Sequence, residues 1–88
     1  MENCKNKNEL IALYSNNYPP EFYKKWLELA LTKLTGFKSW SKGNLNTQQS
    51  EDISKILLIN DFSKKHFLSC LELLSYKQIS YVGNFLLL

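Results

Sequence analysis

The pair Pro19-Pro20 constrains this chain more than any other feature. A proline ring holds φ near the helical value, and its missing N–H is harmless in a first helical turn. Further inside a helix it breaks the hydrogen-bond ladder. A helix must therefore start at this pair. Glu21 follows in the first turn, where the positive end of the helix dipole favours a carboxylate. Glu21, Lys24, Lys25, Glu28 and Thr32 then form a polar stripe, while Phe22, Tyr23, Trp26, Leu27, Leu29, Ala30, Leu31 and Leu34 fill the remaining arc. An apolar arc that wide needs more than one neighbour to cover it. The spacing predicts a central helix over 20–35, with Gly36 as the residue that ends it.

The rest of the chain supplies shorter helices to surround it. Asn6 and Glu9 have the spacing of a capping box, and Leu10, Leu13 and Tyr14 recur at helical intervals before Asn16-Asn17 stops the run. Ser50 followed by Glu51 and Asp52 predicts a third helix over 51–59, with both acids in its first turn. An unbroken helix to Leu74 would bury Asn60 and Lys64 in the apolar seam, which is costly without partners. The expected break is at Asn60-Asp61. Asp61 then caps a fourth helix over 62–74, with Phe67, Cys70, Leu71 and Leu74 on one face. Ser75 caps a fifth over 76–82, carrying Ile79 and Val82, and Gly83-Asn84 is its expected end.

Sixteen leucines stand against a single valine, and only three glycines and two prolines punctuate the chain. Leucine suits helices and valine suits strands. The expected fold is an all-α compact bundle of four to five short helices, formed by 1–88 as a single helical domain with a flexible tail at 1–6. A chain of 88 residues buries only about 60% of its unfolded surface, so its core is thin. Residues 36–49 make a long link. Phe37, Trp40 and Leu45 within it are expected to fold back on the core.

Several function classes lack their residues. The polar start MENCKNKNEL has no apolar signal segment, and no stretch approaches the ~18 apolar residues of a membrane span. The expectation is a cytoplasmic protein without membrane contact. Cys4 and Cys70 are too few for a disulfide framework and are read as free thiols. His66 and Cys70 are four apart on one helical face, a spacing that metal sites use. There is no second histidine, however, and a structural zinc site needs four ligands. The same pair lacks the orienting group and oxyanion site of a nucleophile and base. Glu51-Asp52 diverge by about 100° on a helix and do not make a proton-sharing dyad. Gly36, Gly43 and Gly83 are isolated, so no phosphate loop exists. No enzyme, cofactor or metal is expected.

Two function readings remain. One is a small cytosolic binding or regulatory protein acting through protein–protein contacts: an adaptor, an inhibitor, an immunity protein or a phage-type antagonist. Its candidate surfaces are Phe37 and Trp40 in the long link and the apolar end Phe85, Leu86, Leu87 and Leu88. That apolar end must be buried somewhere, in the core, against a partner or in a homodimer. The alternative is a helix-turn-helix DNA-binding regulator using residues 50–74, with Lys64, Lys65 and His66 entering the groove. All eleven basic residues are lysine, which neutralises phosphate but lacks the planar fork that reads guanine. Lys64 also occupies a position where the motif usually places an aliphatic side chain.

Overall fold

A computed structural model of the chain describes residues 5–36 and 45–86. Five α-helices occupy them: α1 (Lys7–Asn16), α2 (Pro20–Gly36), α3 (Thr47–Leu57), α4 (Lys64–Leu73) and α5 (Tyr76–Leu86). The all-α expectation holds. So does the start of α2 at the second proline. Its predicted stripe is exposed, and Trp26, Leu27, Ala30 and Leu34 are completely buried. α2 packs against α3, α4 and α5, while α1 packs against α4 and α5. The corner between α1 and α2 is tied by the Tyr23 hydroxyl, which donates to the Ser15 carbonyl at 2.5 Å. The Cα radius of gyration is 12.1 Å, close to the ~12 Å expected of a single domain of this length.

Aromatic rings fill the centre. Trp26 lies 6.0 Å from Tyr14 and 5.7 Å edge-on from Phe67, centroid to centroid. Tyr23 stacks on Phe67 at 4.5 Å with the planes 9° apart. The predicted face of the fourth helix is buried in full, since Phe67, Cys70, Leu71 and Leu74 are at most 1% exposed. Asn60 and Lys64 are exposed, as the break requires.

α3 ends at Leu57, two residues short of the expected 59, and three further boundaries differ from expectation, each for a local or tertiary reason. α3 begins at Thr47, ahead of the expected Ser50 cap. Asn46 is its N-cap: Oδ1 accepts from the Gln49 N–H at 2.8 Å, and the Gln49 side chain accepts from the Asn46 N–H at 3.0 Å. Two reciprocal bonds satisfy more orphan donors than one serine hydroxyl does. Gln49 Nε2 also donates to the Leu73 carbonyl at 2.5 Å, which fastens the start of α3 to the end of α4. Glu51 and Asp52 consequently lie beyond the first turn.

α4 begins at Lys64 rather than 62, with Ser63 in place of Asp61 as its N-cap. Here a histidine does the work of the usual Glu or Gln: His66 Nδ1 accepts from the Ser63 N–H at 3.1 Å. Phe62 is left free to pack partly on the core and beside the His66 ring.

α5 runs through Gly83-Asn84 to Leu86 instead of ending there. No glycine among the described residues has positive φ, so Gly83 is not a left-handed stop. It is a place of close approach. A Cβ at this position would lie 1.8 Å from Tyr14 Oη and 2.5 Å from Tyr14 Cζ. The Ser75 cap does form: its Oγ accepts from the Gln78 N–H at 3.2 Å and the Gln78 side chain accepts from the Ser75 N–H at 2.8 Å. Ile79 and Val82 are buried as expected.

Candidate functional site

The first turn of α4 gathers Lys64, Lys65 and His66. Lys64 and Lys65 are exposed, and Lys64 Nζ donates to Asn16 Oδ1 at 2.7 Å. His66 is half-buried. Its Nδ1 receives the Ser63 N–H and lies 3.0 Å from the Ser63 hydroxyl oxygen, so this ring nitrogen belongs to the helix cap. The link between α3 and α4 spans 58–63, longer than the three- to four-residue turn of a helix-turn-helix.

One turn further on, Cys70 is a free thiol with no solvent exposure. Burial, aided by the Asp52 carboxylate, pushes its pKa up to about 12. The thiolate is the nucleophile, and this environment withholds it at neutral pH. Among the described residues no three His, Cys, Asp or Glu side chains are gathered so as to hold a metal ion.

The raised thiol sets a pH dependence. The ordinary value is 9.0, so the unfolded chain loses this proton before the folded one does. Cys70 contributes its full stability below about pH 9 and loses it as pH rises towards 12. Denaturant melts across that window should show wild type losing more stability than Cys70→Ala. Parallel losses would mean that burial does not burden the thiolate.

A different surface lies on the outer face of α5. Phe85, in its last turn, is 41% exposed, and Tyr76, at its first residue, is 39% exposed. The Tyr81 ring lies between them along the helix and meets Phe85 edge-on at 5.2 Å. Tyr76, Lys77, Ser80, Tyr81 and Asn84 line an open hollow of about 290 Å³. The Lys33 ammonium of α2 stands 4.5 Å above the centroid of the Phe85 ring. Tyr76 and Phe85, nine residues apart, lie on opposite flanks of this outer face, with Lys77 and Asn84 between them around the helix.

This face divides the apolar end that the sequence singled out. Phe85 is at the surface. Leu86 is half-buried and packs against the core. Leu87 and Leu88 lie outside the described residues, as do Phe37 and Trp40. The structure adds Tyr76, Lys77, Tyr81 and Lys33, which the sequence reading passed over. The signal was present: 77, 81 and 85 recur every four residues, the spacing of one helix face. Ending the helix at Gly83 cut that series short.

A second hollow, of about 580 Å³, opens between the first half of α2 and the α3–α4 link. Glu21, Lys24, Lys25, Glu28 and Asp61 place both signs of charge around it, and all five are exposed. It selects no class of ligand. Leu58 is 81% exposed, but a single surface leucine is ordinary. No helix among the described residues is long and apolar enough to cross a membrane. No protein-family model, curated protein or solved structure matches this chain.

Proposed function

We propose that this chain is a small cytosolic binding or regulatory protein that acts through protein–protein contacts, and that the outer face of α5 is its contact surface. The observation that carries the reading is Phe85. A large ring 41% exposed in a folded helix, edge-on against Tyr81, is the kind of residue that anchors interfaces, where aromatics are enriched. The cytosolic setting is supported by the unpaired Cys70 thiol, a state that reducing compartments preserve.

The test is capture from lysate with the full chain as bait, with and without nuclease, comparing wild type with Phe85→Glu. The reading expects a protein that survives nuclease and whose capture falls at least tenfold with Phe85→Glu, while the variant keeps its helical circular dichroism. Equal capture by both baits would remove α5 as the contact surface.

Nucleic-acid binding is the second reading, and the observation in its favour is the exposed Lys64-Lys65 pair at the start of α4. Duplex binding that falls steeply with salt and is abolished by Lys64→Glu/Lys65→Glu would put that reading first.

A further inference from the structure

We propose that the reciprocal cap of Ser63 and His66 is a pH-sensitive latch. It holds the start of α4 while the imidazole is neutral and releases it when the imidazole takes a proton. The latch is independent of any contact surface on α5.

Among the described residues, three helices start with a cap in which the residue three places on accepts the N–H of the cap residue. Gln49 does so for Asn46 at the start of α3, and Gln78 for Ser75 at the start of α5. An amide oxygen accepts at any ordinary pH. At the start of α4 the acceptor is His66 Nδ1, 3.1 Å from the Ser63 nitrogen. A ring nitrogen that accepts carries no proton, so the neutral imidazole holds its hydrogen on Nε2. Protonation puts a hydrogen on Nδ1 as well, and two donors then face each other. The Ser63 hydroxyl, 3.0 Å away, can accept the new N–H, but the backbone N–H of Ser63 is left without its acceptor. The unfolded chain takes the same proton and loses no such bond. Stability is therefore full above the histidine range, at about pH 8, and falls as the pH drops through about 6.5. His66 is the only histidine in the chain, so no other imidazole titrates there.

The charges around this end of α4 are of both signs. Lys64 and Lys65 precede His66 and oppose a further cation, as does the positive end of the helix dipole. Asp61 in the link and Glu21 and Glu28 of α2 favour it, with Lys24 and Lys25 interleaved among them. Tyr23 of α2 stacks on Phe67 and donates its hydroxyl to Ser15. α1 carries Lys7 and Glu9 in its first turn, and Lys7 bonds the Glu72 carbonyl at the far end of α4. α3 carries Glu51, Asp52 and Lys55, of which Asp52 acts on the Cys70 thiol one turn beyond His66. Most of these groups are exposed, where salt screens them. The lost acceptor, not the charge balance, sets the effect.

Two tertiary contacts depend on this turn. Lys64 Nζ donates to Asn16 Oδ1 at the end of α1. Phe62 packs partly on the core, beside the His66 ring. Releasing the turn frees both, so the 58–63 link opens and presents Phe62 together with Leu58, which is already exposed.

The test follows the full-length chain by NMR and by denaturant melts between about pH 8 and pH 5. At the upper end the imidazole ¹⁵N signals should show the Nε2–H tautomer. As the pH falls, the amide signals of 58–66 should move with the same midpoint as the ring. Over this range the folding equilibrium constant of wild type should fall about fivefold relative to His66→Gln, the usual worth of one helix cap. His66→Gln supplies the acceptor that α3 and α5 use, so its 58–66 amides should stay in place. His66→Ala has no acceptor at any pH; it should start less stable and share the flat response of the glutamine variant. Parallel losses in wild type and His66→Gln would overturn the latch. So would an Nδ1–H tautomer at about pH 8, or a titration confined to the His66 ring.

Discussion

Trp26→Ala should lower the stability of this chain by ~3–5 kcal/mol, the usual cost of emptying a large aromatic from a core. Trp26 has no solvent exposure and stands at the centre of the helix that touches α3, α4 and α5. Its neighbours Tyr14 and Phe67 come from α1 and α4, so one truncation opens space beneath three helices at once. Small domains hold only about 5–15 kcal/mol in total. At roughly 4–8 °C for each kcal/mol, the melting temperature should fall by at least ~12 °C, and a chain at the low end of stability would not fold. Trp26→Phe is the informative partner variant. It keeps a ring against Phe67 and removes an indole N–H that has no acceptor among the described residues. Because an unsatisfied buried donor is itself unfavourable, the phenylalanine variant should lose less than half of what the alanine variant loses. An unchanged melt for Trp26→Ala would displace α2 from the centre of the fold. Equal losses for the two variants would show that ring packing is not what Trp26 supplies.

Gly83→Ala should also destabilise, by ~1–3 kcal/mol, the usual range for forcing extra volume into a packed core. The sign is what makes this informative. Alanine normally improves a helix interior by about 1 kcal/mol over glycine, and at Gly83 the opposite is expected. The added methyl would meet Tyr14 Oη at 1.8 Å and Cζ at 2.5 Å. Tyr14 cannot swing away easily, since it is 1% exposed and lies beside Tyr18 and Trp26. Tyr14→Phe in the Gly83→Ala background removes the nearer atom and leaves the farther one, so it should recover part of the loss. A double-mutant cycle by denaturant melts measures that coupling directly. A more stable Gly83→Ala variant would mean that α5 does not approach α1 and that the glycine ends the helix after all.

The two variants mark different degrees of legibility. Trp26 was readable as core because its neighbours in sequence are informative: the proline pair sets the helix phase, and the polar stripe leaves one arc to bury. The face of Phe67, Cys70 and Leu71, and the Ser75 cap, were readable for the same reason, since each depends on residues within a turn or two. The start of α3 was less so. Asn46 with Gln49 and Ser50 with its following acids are both acceptable caps locally, and the bond from Gln49 to the Leu73 carbonyl adds a reason for the first that only α4 can supply. The outer face of α5 was hidden behind a boundary error. Once the helix was ended at Gly83, Phe85 became part of an apolar tail instead of the last member of a surface series with Lys77 and Tyr81.

The sequence by itself determined the helical class, the position of the central helix and most of the residues that line the core. These follow from propensity, proline geometry and apolar periodicity, all of which act within a few residues. Tertiary structure alone decided what Gly83 is for. A glycine that stops a helix and a glycine that admits a neighbour look identical in sequence, because both are the absence of a side chain. The difference lies in the Tyr14 ring, from the first helix, which occupies the space a Cβ would take. That contact carries α5 on to Leu86 and brings Tyr76, Tyr81 and Phe85 onto one continuous helix.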